Sequence, residues 1–151
     1  MNEVIILEQR KFVNDFYSVW SRGTSLYVSW ATKHGISYTT LSILYALMNY
    51  ESTTQREICE FYGLPKQTVN NCIRQLESNK YVQLVTNAKD KREKNIVFTK
   101  SGRDFANDTL TPLFKIEEAI CRNIASKDFI QAIETRELFN TLFEKEMEKE
   151  I

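Results

Sequence analysis

Residues 54–79 read TQREICEFYGLPKQTVNNCIRQLESN, and the punctuation of this stretch decides the fold. Thr54 with Glu57 three positions on is a capping box. Its hydroxyl and its carboxylate can each satisfy an amide that the first helical turn leaves open. The short helix it opens turns Ile58, Phe61 and Tyr62 inward and stops at Gly63. After Leu64, Pro65 carries the φ that suits the first turn of a new helix, which extends to about Asn79. On a wheel of about 100° per residue, Val69, Cys72, Ile73 and Leu76 share one arc. Lys66, Gln67, Asn70, Asn71 and Arg74 occupy the opposite face. Two helices joined by a tight turn, the second with an apolar back and a front of amides and cations, form a helix-turn-helix candidate.

Working outward, the apolar period changes from helical to alternating after Asn79. Tyr81–Thr86 and Asn95–Thr99 read as strands. Asn87–Lys94 joins them, with six charged residues out of eight. A hairpin with a charged tip directly after a helix-turn-helix is the winged-helix arrangement. Upstream, residues 4–33 read as a long helix with Phe12, Phe16, Tyr17, Trp20, Tyr27 and Trp30 at helical spacing and Gly23 as an interruption. Gly35 reads as its stop, and Ser37 as the N-cap of a second helix through Tyr50, with Leu41, Leu44, Tyr45 and Met48 inward. Downstream of Thr99 the chain is helical to about Ala125, with Pro112 expected to bend it. Ser126 is expected to cap a last helix carrying Phe129, Ile133, Leu138, Leu142, Phe143 and Met147.

The expected fold is therefore mainly α with a small β-hairpin wing. A winged helix-turn-helix lobe, residues 36–103, is flanked by dimerisation helices at 1–35 and 104–151 within a single domain, 1–151. The first and last helices are too apolar to be solvated arms, so a second copy of the chain is the expected cover.

Charge supports this division. The 151 residues balance 20 Lys+Arg against 20 Asp+Glu, which taken alone speaks against a nucleic-acid partner. Resolved along the chain, residues 1–61 carry net −1, residues 62–103 net +6, and residues 104–151 net −5. The cationic charge is confined to the second helix of the motif and the wing.

Composition also limits the alternatives. Apolar runs such as Val4-Ile5-Ile6-Leu7 are far short of the ~20 residues of a membrane span, and no secretory signal pattern opens the chain. A cytoplasmic protein with no membrane association is expected. His34 is the only histidine, and Cys59, Cys72 and Cys121 form no CxxC pair, so neither a metal nor another cofactor is expected. The three cysteines, set among apolar neighbours, read as ordinary semi-buried thiols. The chain has no P-loop, no Gly-rich dinucleotide turn and no GxSxG, so it does not read as an enzyme.

The order of elements and the wing resemble the MarR family of bacterial transcriptional regulators. Asp90-Lys91-Arg92-Glu93-Lys94 is similar to that family's DxRxK wing signature, and Thr99-Lys100-Ser101-Gly102 to its TxxG at the start of the following helix. Leu76-Glu77-Ser78-Asn79-Lys80-Tyr81-Val82 is similar to its recognition-helix ending, with Asn79 standing where glycine is more usual. The resemblance implies a homodimer whose two winged-helix lobes read a pseudo-palindromic operator, a repressor released by a small molecule. It also implies that Asp90 pairs with Arg92 and orients it.

Chemistry assigns the remaining roles to residues. Lys66, Lys91, Lys94 and Lys100 suit phosphate contact, helped by backbone amides near Thr54 at a helix N-terminus. Gln67, Asn70 and Asn71 can pair with adenine, Arg74 with guanine or phosphate, and Thr68 lies on the same reading helix. Arg92 at the hairpin tip suits the narrow minor groove. Tyr17, Trp20, Trp30, His34 and Tyr38 are candidates to line a pocket for a small aromatic or lipophilic effector. A second reading keeps the fold as a protein-interaction module that does not read DNA. The net +6 middle segment argues against it, because docking to a protein does not need it.

Overall fold

Capping residues set the helix boundaries in the computed structural model, which describes residues 3–87 and 92–150. The elements are α1 (Glu3–Lys33), α2 (Tyr38–Tyr50), β1 (Ser52–Thr54), α3 (Gln55–Tyr62), α4 (Lys66–Ser78), β2 (Val82–Thr86), β3 (Lys94–Phe98), α5 (Lys100–Cys121) and α6 (Ser126–Met147). The chain divides into two compact units, Met1–Thr109 and Leu110–Ile151. Among the described residues no helix is long and apolar enough to cross a membrane.

In the first unit Ser37 opens α2, its hydroxyl accepting the Thr40 amide at 3.0 Å. The capping box forms in full. Thr54 Oγ1 accepts the Glu57 amide at 3.2 Å, and the Thr54 amide donates to Glu57 Oε2 at 2.7 Å. That backbone bond, with the threonine hydroxyls of residues 54 and 53, holds the Glu57 carboxyl below the usual glutamate range. Because its folded value is depressed, the box stabilises the fold above the ordinary glutamate value and weakens as pH falls through the lower folded one. Gly63, left-handed at φ 61°, closes α3 with its amide on the Cys59 carbonyl.

The core of this unit joins Ile43, Ala46 and Leu47 of α2, Ile58 of α3, and Val69, Cys72, Ile73 and Leu76 of α4 to Val82 and Ile96 of the sheet. Thus the apolar arc expected of the reading helix is the arc that is buried, and the opposite face is left to solvent. Burial pushes the Cys72 thiol up, so it remains protonated and inert.

Several expectations need correction. Phe61 does not point inward: it is 56% exposed, with its ring 5.4 Å from the equally exposed Tyr50. Pro65 is the N-cap of α4 rather than part of its first turn. The strands form a three-stranded antiparallel sheet in the order β1-β3-β2, so the hairpin gains a partner in β1. Gly23 does not break α1, which is continuous through it. The helix after the wing ends at Cys121, short of Ala125. Ser126 lies inside α6, whose N-cap is Ala125 with no side-chain bond. Cys121 is exposed, unlike the other two cysteines.

The junction between α4 and the wing is tightly specified. The Tyr81 amide returns to the Leu76 carbonyl and the Lys80 amide to Glu77, a Schellman ending with Lys80 left-handed at φ 59°. The residue whose backbone wants glycine is therefore Lys80; Asn79, with φ −77°, does not. Thr99 locks this ending to α5. Its hydroxyl accepts the Gly102 amide at 3.0 Å and donates to the Lys80 carbonyl at 2.6 Å. The Thr99 amide donates to the Tyr81 carbonyl at 3.0 Å, and Ser101 Oγ to the Lys80 carbonyl at 3.0 Å.

Candidate nucleic-acid interface

The apolar back of α4 buries against α2 and the sheet, which turns its polar front toward a groove of about 680 Å³ shared with α3 and the wing. Lys66, Asn70, Arg74, Arg92 and Lys94 all line it, so helix and hairpin residues named from sequence converge on one concave surface. Lys66, Arg74, Arg92 and Lys94 are exposed, and Asn70 is half-buried. Gln67, Thr68 and Asn71 are exposed on the outer side of α4. Gln67 Nε2 donates to Asn71 Oδ1 at 2.9 Å, a one-turn amide pair on the exposed front of the helix. Lys100 is exposed at the first turn of α5 and does not line the groove. Asp90 and Lys91 lie outside the described residues.

Thr54 requires a correction. It borders the groove but is buried, and both its amide and its hydroxyl are consumed by Glu57. The residue positions α3 and has no amide to lend a phosphate.

Two contacts here were not read from sequence. Arg56 Nε lies 3.1 Å from Glu93 Oε1, joining α3 to the base of the wing. Gln55 Nε2 donates to the Lys66 carbonyl at 2.9 Å, joining the first turn of α3 to the start of α4. The signal that places Arg56 beside Glu93 is β1. Its pairing with β3 sets Thr54 opposite Asn95, and the same register two residues on sets Arg56 opposite Glu93. Three groove carboxylates, Glu60, Glu77 and Glu93, offset part of the charge of Arg56, Lys66, Arg74, Arg92 and Lys94 and leave it net positive.

The aromatic candidates do not form one pocket. Tyr17 and Trp20 are largely exposed on α1. Trp30 and His34 stack on each other at 3.9 Å, with His34 Nδ1 on the Trp30 carbonyl at 2.8 Å. Tyr38 alone of the five lines a cavity of about 160 Å³, shared with Tyr27, Leu41, Ser42, Tyr45 and Tyr62. Burial pushes the Tyr62 phenol up to about 12, so it stays a neutral hydroxyl at physiological pH. No group of three or more His, Cys, Asp or Glu side chains able to hold a metal occurs among the described residues.

With this geometry in place, comparison with known proteins is informative. A family model described as MarR family matches residues 34–93. The uncharacterized HTH-type transcriptional regulator YwoH of Bacillus subtilis (strain 168) is 31% identical over 102 residues, covering 68% of this chain and 69% of YwoH. NMB1585, a MarR family regulator from Neisseria meningitidis, superposes with a TM-score of 0.76 at 20% identity over 100% of both chains. Overoxidized AbfR, solved bound to DNA, superposes with a TM-score of 0.64 at 19% identity, covering 95% of this chain and 99% of that one.

Proposed function

We propose that this chain, which belongs to the MarR family, is a DNA-binding transcriptional regulator rather than an enzyme, and that it acts in the cytoplasm as a homodimer on a pseudo-palindromic operator. The observation that carries the reading is the groove where the front of α4 meets the wing, with Lys66, Asn70, Arg74, Arg92 and Lys94 on one surface. Cations there suit phosphates and give affinity; the amides of Asn70, Gln67 and Asn71 suit base edges and give discrimination. AbfR, which shares the fold, was solved on DNA. Selection from a pool of randomised duplexes should enrich an inverted repeat with half-sites about one helical turn apart. Recovery of no sequence preference would sink the reading.

The dimer reading rests on the first and last helices. α6 has no buried residue in the single chain, and on α1 Ala31 alone is buried among the described side chains. Helices whose apolar residues are mostly exposed do not hold on their own, and a second copy supplies the missing cover. The proposed division is dimerisation by residues 1–35 and 104–151 and reading by 36–103. Leu138 and Leu142 are 59% and 49% exposed, so aspartate at both positions should be neutral in a monomer. In a dimer the same change should split it, with light scattering after size exclusion falling from twice the chain mass to once. An unchanged dimer would place the interface elsewhere.

We read the regulator as a repressor released by a small aromatic or lipophilic molecule. A cavity near 160 Å³ accommodates a single aromatic ring, and its tyrosine lining offers hydroxyls for orientation.

A further inference from the structure

Resting on the DNA-binding reading above, we infer that Arg56 and Glu93 are positioning residues that pin the base of the wing to α3, so that Arg92 meets DNA in register with the recognition helix. Glu93 is the last residue before β3, and its carbonyl accepts the Asn87 amide at 3.2 Å, closing the neck of the hairpin. It is the place where the wing leaves the sheet. Its carboxylate reaches Arg56 at 3.1 Å and is the more enclosed partner, 29% exposed against 67% for Arg56. The β1–β3 backbone ladder ends at Thr54 opposite Asn95, and the ion pair joins the residues two positions further on by their side chains.

The neighbouring residue completes the device. Gln55, beside Arg56 in the first turn of α3, is bonded to the carbonyl of Lys66, the first residue of α4. One helical turn thus grips both the wing and the start of the recognition helix. An exposed ion pair contributes little to folding stability. A carboxylate facing phosphates also opposes binding at long range. Glu93 therefore acts through the geometry it imposes: it presets the angle between two reading elements, which reduces the ordering that DNA must otherwise impose on binding.

The test is fluorescence anisotropy on a labelled duplex taken from upstream of the protein's own gene, with the full-length chain and a salt series. Glu93→Gln should weaken binding by about 3- to 5-fold with the wild-type salt slope, since no phosphate contact is lost. In an Arg92→Ala background Glu93→Gln should have no further effect, because it acts through Arg92. Arg56→Glu and Glu93→Arg should each weaken binding and the two together should restore most of it, with the melting midpoint of every variant unchanged, a combination a merely structural role would not give. Wild-type affinity in Glu93→Gln, an undiminished effect in the Arg92→Ala background, or failure of the charge swap to restore binding each overturns the inference. Tighter binding with a steeper salt slope also overturns it, by making Arg56 a phosphate contact that Glu93 masks. If the wild type itself ignores the duplex, the DNA reading fails first and takes this inference with it; if Arg92→Ala binds like the wild type, the DNA reading stands and this inference alone is overturned.

Discussion

Gly102→Ala should destabilise the protein by about 4 kcal/mol or more, a large share of the total for a domain this size. Alanine usually improves a helix relative to glycine, by up to about 1 kcal/mol. Here the sign reverses because a Cβ on Gly102 would sit 1.6 Å from the Tyr81 carbonyl oxygen and 2.5 Å from its carbon. That carbonyl cannot move aside: it accepts the Thr99 amide at 3.0 Å, and the Tyr81 amide is tied to Leu76 in the ending of α4. The clash is with backbone, so no rotamer change relieves it. Gly23→Ala is the internal control, since nothing lies within 4 Å of a Cβ built there. Urea unfolding should show Gly102→Ala collapsing and Gly23→Ala equal to or above the wild type. A Gly102→Ala variant as stable as the wild type would contradict the packing of α5 on the end of the reading helix.

Arg92→Ala should weaken operator binding by about 10- to 100-fold, about 0.7–1.4 kcal/mol from each of the two half-sites. Arg92 is exposed, lines the groove from the wing side and is not among the core residues of its unit. Its loss should leave the thermal midpoint and the oligomeric mass unchanged. Anisotropy, a melting curve and light scattering on one preparation separate the effects. A variant that loses affinity and stability together would make Arg92 a structural residue instead.

Legibility in the sequence followed the range of each interaction. The capping box at Thr54, the cap at Ser37 and the stop at Gly63 are side-chain or backbone conditions met within three or four residues, and sequence displays them directly. The buried arc of α4 was legible because thirteen residues give the helical period enough turns to declare itself. α3 has only eight residues, barely two turns, and its wheel could not decide that Phe61 faces solvent.

β1 was not legible at all. Three residues show no alternation, and its partner, β3, lies far along the chain. Missing β1 also hid the Arg56–Glu93 pair, because nothing else in the sequence sets those charges side by side. Thr99 and Gly102 could be seen as a motif, but their purpose, capping α5 while clasping the Lys80 and Tyr81 carbonyls, exists only once the chain has folded back. The same holds for Lys80. Its left-handed backbone is fixed by the Schellman bonds, one position beyond the residue that the motif spacing had suggested.

Electrostatics decides between a regulator that grips DNA and a winged helix that has ceased to read it. Phosphate contacts release counterions, so each contributes about −0.9 to the slope of log K against log salt. Three or four cationic contacts per lobe, doubled in a dimer, predict a slope of roughly −5 to −7 on the upstream duplex. Anisotropy titrations of the wild type from low to physiological salt measure it directly. A slope in that range, with a scrambled duplex bound far more weakly, is the predicted result; a flat salt response, or no binding even at low salt, would contradict the central claim.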